Sequence, residues 1–153
     1  MPELRPYRHI LALVDFDAGD AEVVGKATLL ARMNGATLDI LHLIEPDSQL
    51  DGGYPGGSPN GYETAALRRL NFLAASFGAD KASCHAVYGP RSRSLARHVA
   101  HAYPDLIVTG EAPAWLAGVC DTLILLPRPR PRTRGGRLLR ALGTWLGWRT
   151  GAA

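Results

Sequence analysis

An α/β fold, with a five-stranded and mostly parallel sheet covered by helices on both faces, is predicted by three observations. Short apolar runs alternate with stretches of helical period over the first 127 residues, and such alternation builds parallel strands joined by crossover helices. The runs HILALV (9–14) and DLIVTG (105–110) are nearly continuous in their apolar residues rather than alternating, as strands buried on both faces are. Gly and Pro stand where helices should stop and strands should turn.

The elements follow in order. Strand one is His9–Val14, ending at DFDAGD, which supplies N-cap residue types. A helix from about Asp20 to Met33 carries Val23, Ala27, Leu30 and Ala31 on one stripe, and Asn34-Gly35 stops it. Strand two is Ala36–Glu45. Residues 46–61, PDSQLDGGYPGGSPNG, form a Gly/Pro-rich loop, long enough to be a flap. A second helix from about Tyr62 to Phe77 buries Ala66, Leu70, Leu73 and Phe77. Strand three is Lys81–Gly89, and Pro90 opens a third helix that runs to about Tyr103 before Pro104. Strand four is Asp105–Gly110 and strand five Thr122–Pro127. Only 11 residues, Glu111–Asp121, join these last two strands, where a parallel crossover usually takes a dozen or more. This fourth crossover is therefore shortened, with room for about two helical turns near Ala114–Val119.

Charge divides the chain into a domain (1–127) and a tail (128–153). The first holds 10 Lys+Arg against 14 Asp+Glu, the second 7 Arg and no acid. The overall charge of +3 thus belongs to the tail. No apolar run approaches the roughly 20 residues of a membrane span, and the N-terminus lacks the pattern of a secretory signal. The expected location is the cytoplasm, with the tail able to rest on the inner face of the membrane. Cys84 and Cys120 suit a reducing compartment and show no metal-ligand spacing; both read as small apolar residues. No Ser/His/Asp constellation has supporting context, so the chain is not read as an enzyme.

The segments YRHILALVDFD, ATLDILHLIEP, VYGPRSRSLARHVAHAYPDLIVTG and TLILLP, in that order and spacing, resemble the universal stress protein family. The resemblance implies an adenine nucleotide alpha hydrolase-like fold, a binding or stress-regulatory role, and homodimers that commonly use the last strand. Thr122, Leu123, Ile124, Leu125 and Leu126 would then form the dimer edge, their backbone groups open to a second copy.

Family members that bind ATP carry G-x-x-G-x9-G-[ST] after the fourth strand. Laid on this chain, Gly110 takes the first position, Pro113 the second and Leu123 the third. Proline offers no N–H to a phosphate. The chain therefore resembles the members that do not bind nucleotide, and no cofactor is expected. What would remain is a vestigial crevice of Asp15, Gly89 and Gly110. ATP binding or hydrolysis by a remodelled site is the alternative. Asp15, with Asp17 and Asp20, reads first as helix N-capping; contact with the adenine or ribose side of a nucleotide is the reading implied by the family. Gly89-Pro90-Arg91-Ser92-Arg93-Ser94 reads first as a solvent-facing helix start and second as an anion site. His98 and His101, three apart on that helix, read as a solvent-facing pair because no third metal ligand is apparent. Trp115 is expected to pack over the sheet that the missing helix leaves uncovered.

The tail begins with alternating Pro and Arg, an extended and semi-rigid linker. On the wheel of the segment that follows, Leu138, Leu139, Leu142, Trp145 and Leu146 share an arc of roughly 120°, with Arg137 and Arg140 opposite and Trp148 near the end. Such a basic amphipathic helix suits docking on its own dimer or a protein partner first, an anionic membrane surface second, and nucleic acid last. A membrane-surface adaptor recruited through this tail is a further alternative.

Overall fold

The structure is a computed structural model that describes residues 5–45, 59–118 and 123–125. Its elements are β1 (His9–Val14), α1 (Asp20–Asn34), β2 (Thr37–Ile44), α2 (Pro59–Ser76), β3 (Ser83–Tyr88), α3 (Arg91–Ala102), β4 (Leu106–Thr109), α4 (Ala114–Ala117) and β5 (Leu123–Leu125). The five strands form one sheet in the order β3-β2-β1-β4-β5, and every pairing is parallel. The sheet is thus wholly parallel, and β5 runs alongside β4 with Leu106 opposite Leu123 despite the shortened crossover.

Side chains alternate across the sheet and feed two cores. On one face Ile10, Ala12 and Val14 of β1 meet Val23, Val24, Ala27 and Ala31 of α1 and Leu70 and Ala74 of α2. On the other, Leu11 and Leu13 meet Leu41, Leu43 and Ile107 under Leu95 of α3 and Leu116 of α4. β1 is central, and its five residues from Ile10 to Val14 are all buried, so the continuous apolar run is explained.

Local signals set the ends. Gly35 takes φ 64° and the Ala36 N–H donates to the Ala31 carbonyl at 2.9 Å, closing α1. α2 starts at Pro59, three residues ahead of the expected Tyr62, because proline suits a helix's first turn. Tyr103 ends α3 in the left-handed conformation, at φ 49°. At the amino edge of the sheet, Asp105 Oδ2 accepts the N–H groups of Arg8 (2.7 Å) and His9 (2.8 Å). These two bonds hold its carboxyl below the usual range and tie the start of β4 to β1.

The shortened crossover keeps a four-residue helix, α4. Its Leu116 is fully buried and Trp115 is half-buried against the same core, so this segment covers the sheet as expected of Trp115. Among the described residues no helix is long and apolar enough to cross a membrane. The loop at 46–58, Cys120, and the dimer-edge residues Thr122 and Leu126 lie outside the described residues, as do tail residues Arg137, Leu138, Leu139, Arg140, Leu142, Trp145, Leu146 and Trp148. Among the described residues Leu123–Leu125 form the edge strand β5.

Candidate functional site

A crevice of about 330 Å³ opens at the carboxyl ends of β1 and β4, lined by Leu13, Asp15, Asp17, Arg91, Thr109, Glu111, Pro113 and Trp115. In a parallel sheet this is where ligands bind, at the switch in strand order, here between β1 and β4. The topology makes the place: β1 sends the chain to β2 on one side, while β4 returns on the other.

Asp15 faces Arg91, the first residue of α3, and the two make a close ion pair. Glu45, just past β2, sits 3.7 Å from the Arg91 Nε. The guanidinium also lies 5.8 Å from the centre of the Trp115 ring, within the range of a cation–π contact. Among the described residues that line the crevice Arg91 is the one cation, against the carboxylates of Asp15, Asp17 and Glu111. The Thr109 hydroxyl donates to the Glu111 carbonyl at 3.0 Å.

The carboxylates do not cap α1 as expected. The N-cap is Gly19, and no side-chain cap bond is present. Asp17 Oδ1 accepts the Gly19 N–H at 2.6 Å instead, and Asp20 folds back to accept the Asp15 N–H at 3.1 Å. The intervening Phe16 has φ 61°, which places the acids in a tight turn rather than at the cap. Phe16 is held there by the Arg69 guanidinium 4.3 Å above its ring and by the His42 ring at 3.9 Å. Burial pushes the Asp20 carboxyl up to about 6, with the charges of Asp17 and Asp15 adding to it and the Asp15 N–H opposing. Burial likewise pushes His42 down; its Nδ1–H donates to the Val14 carbonyl at 2.9 Å.

Gly89 and Gly110 flank the crevice without lining it. Gly89 has φ 142° and a Cβ there would stand 2.9 Å from Ser94 Oγ, so glycine is required. A Cβ on Gly110 would meet only Val23 Cγ2, at 3.7 Å. The helix start at Pro90–Ser94 differs from the expected solvent-facing one: Arg91 turns in to Asp15 and Ser94 is buried, while Ser92 and Arg93 stay exposed.

His98 and His101 do not form the expected solvent-facing pair. His101 is exposed, but His98 turns in with a side chain 14% exposed, 3.8 Å from Asp39. His85 of β3 is 3.7 Å from the same Asp39 oxygen. Asp39, His85 and His98 could together hold a metal ion; the sequence reading named neither Asp39 nor His85. The signal was a polar residue at the first inward position of successive strands, readable only once the register placed Asp39 two before Leu41 and Leu41 opposite His85. Cys84 is half-buried beside the other core and its thiol is raised by burial.

A family model described as "Universal stress protein family" matches residues 6–119. Universal stress protein A homolog 1 of Coxiella burnetii (strain RSA 493 / Nine Mile phase I) is 43% identical over 47 residues, 31% of this chain and 33% of that protein. The match therefore spans about a third of the length of that curated relative. Among solved structures, a universal stress protein in complex with cAMP superposes with TM-score 0.59 at 20% identity, over 80% of this chain and 98% of that one. The universal stress protein from Archaeoglobus fulgidus in complex with dAMP gives TM-score 0.58 at 16% identity, over 80% and 99%. At these identities the likeness is one of fold.

Proposed function

The chain belongs to the universal stress protein family, and from that premise we propose that it is a stress-response or regulatory protein that acts by binding, as a homodimer, without ATP. The observation that carries this is the state of Arg91. Among the described lining residues the one cation is already met by Asp15 and Glu45, and three carboxylates line the same space. A triphosphate would meet net negative charge there. Pro113, which takes the position of the second loop glycine, contributes no N–H. No step of bond breaking is assigned to these residues, and the protein is read as a binder rather than an enzyme. Among the described strands β5 is an edge, and open backbone groups on such an edge favour pairing with a second copy.

Isothermal titration of the full chain with ATP and magnesium tests the first part. No heat at roughly millimolar ligand is expected; clear one-to-one binding overturns it. Sedimentation at high micromolar protein tests the second, with a dimer expected and a monomer counting against it.

A second reading is a smaller adenine nucleotide with one phosphate. It is favoured by the position of the crevice at the strand switch and by the complexes of cAMP and dAMP seen with structural neighbours. One phosphate asks for a single guanidinium rather than a glycine loop. Titration with AMP and cAMP separates this reading from the first.

A further inference from the structure

We propose that Asp39, His85 and His98 form a binding site for a divalent cation of the zinc class, at the amino ends of the strands and on the far side of the apolar core from the crevice. The three residues come from β2, β3 and α3, and their ligand atoms lie within 4.8 Å of one another. Two imidazoles and a carboxylate are the donors that zinc takes when three protein ligands leave a fourth position open.

The distances fit. Asp39 Oδ2 is 3.7 Å from His85 Nε2 and 3.8 Å from His98 Nε2. Ligand atoms bonded at about 2.0–2.1 Å to a tetrahedral zinc stand about 3.3 Å apart. A contraction of roughly half an ångström on each side brings the carboxylate and either ring onto one ion. The two rings stand edge to face, centres 5.0 Å apart and 62° between planes, so they approach from different directions and neither shields the other.

His98 Nε2 is buried and has no hydrogen-bond partner. A buried ring nitrogen left without a partner is unfavourable, and here it faces a carboxylate and a second imidazole. A bound cation would use its lone pair.

The carboxylate has a built support. His9 Nε2 lies 2.9 Å from Asp39 Oδ2, and His9 Nδ1 lies 2.9 Å from the Ala102 carbonyl oxygen. His9 thus bridges the Asp39 carboxylate and the Ala102 carbonyl. Strand β1 and the last residue of α3 thereby fix the angle at which Asp39 meets an ion. Outer hydrogen bonds of this kind orient ligands in metal sites. His9 is a positioning residue in this scheme. The His85 side chain is 40% exposed, so an ion has a path in from solvent on that side.

The test uses the untagged full chain, stripped with a chelator and titrated with zinc chloride by calorimetry. One zinc per chain, with a dissociation constant in the micromolar range or tighter and a rise in melting temperature, is the expected result. Asp39 and His98 are interior, so the deciding variant is His85→Gln on the exposed side, its fold checked by circular dichroism. It should lose at least tenfold in zinc affinity, while His101→Gln on the outer face of the same helix should bind as the parent does. Cobalt should give the visible absorption of a tetrahedral site in the parent and not in His85→Gln. A chain that takes up no zinc overturns the proposal, and so does a folded His85→Gln that binds zinc like the parent. ATP titration of the crevice is a separate measurement, so failure of one proposal leaves the other intact.

Discussion

Arg91 and His98 stand seven residues apart on α3, and both turn toward the sheet to meet a carboxylate. Arg91, at the helix start, meets Asp15 beyond the end of β1; His98, two turns on, meets Asp39 near the start of β2. Leu95 between them, and Val99 just after His98, pack in the core of Leu11, Leu13, Leu41 and Leu43. One helix thus joins two polar clusters at opposite ends of the strands, separated by an apolar layer.

Asp15→Asn should raise, not lower, affinity for a single phosphate group. In the wild-type chain Asp15 neutralises Arg91; asparagine keeps the shape and removes the charge. The pair is about a quarter exposed at both ends, so the loss of stability should stay within about 1 kcal/mol. Titration with AMP checks the outcome. If Asp15→Asn binds less AMP than the parent, Asp15 contacts the nucleotide and the carboxylate is a ligand-binding group.

Asp20→Asn should stabilise the fold near neutral pH. The folded carboxyl titrates at about 6, against 3.8 when exposed. The folded chain therefore holds the proton more tightly, and stability from this group rises as pH falls from about 6 to about 4. Above that window the buried charge is a cost. Asparagine keeps the oxygen that accepts the Asp15 N–H and removes the charge. A gain of about 1–2 kcal/mol at pH 7.5, and little change at pH 4, is expected from urea midpoints. Equal stability at both pH values would sink the assignment.

The strand–helix alternation was legible because buried parallel strands leave continuous apolar runs, and HILALV maps onto β1 residue for residue. The role of Asp15, Asp17 and Asp20 was not. Capping depends on which residue adopts the cap conformation, and Gly19 took it two residues after Asp17. The Asp39 cluster was less visible still. Its members lie 46 and 59 positions from Asp39 in the chain, and only the register β1–β2–β3 with the facing helix brings them together. Sequence spacing records neighbours within an element, not across a sheet.

The two glycines read from the sequence as one crevice should respond differently to alanine. Gly110→Ala adds a methyl group at ordinary contact distance from Val23 and needs no unusual backbone angle. Its effect should stay within about 0.5 kcal/mol. Gly89→Ala forces a side chain onto φ 142° and to within 2.9 Å of Ser94 Oγ. A loss of about 1–3 kcal/mol is expected. Adding Ser94→Ala should recover only part of it, since the backbone strain remains. Denaturant melts of the three variants decide the matter.

Leu116→Ala measures how much the reduced crossover contributes. Leu116 is fully buried although its helix, α4, has only four residues. It packs with Leu11, Leu13, Leu95 and Ile107 in the core beneath the crevice. Truncation leaves a cavity that rigid strands on one side cannot close, and about 2–4 kcal/mol should be lost. The neighbouring Trp115→Ala removes a half-buried ring and its contact with Arg91, so its cost should be smaller. If Leu116→Ala melts within about 0.5 kcal/mol of the parent, α4 is dispensable and the sheet face between β4 and β5 is covered by another segment of the chain.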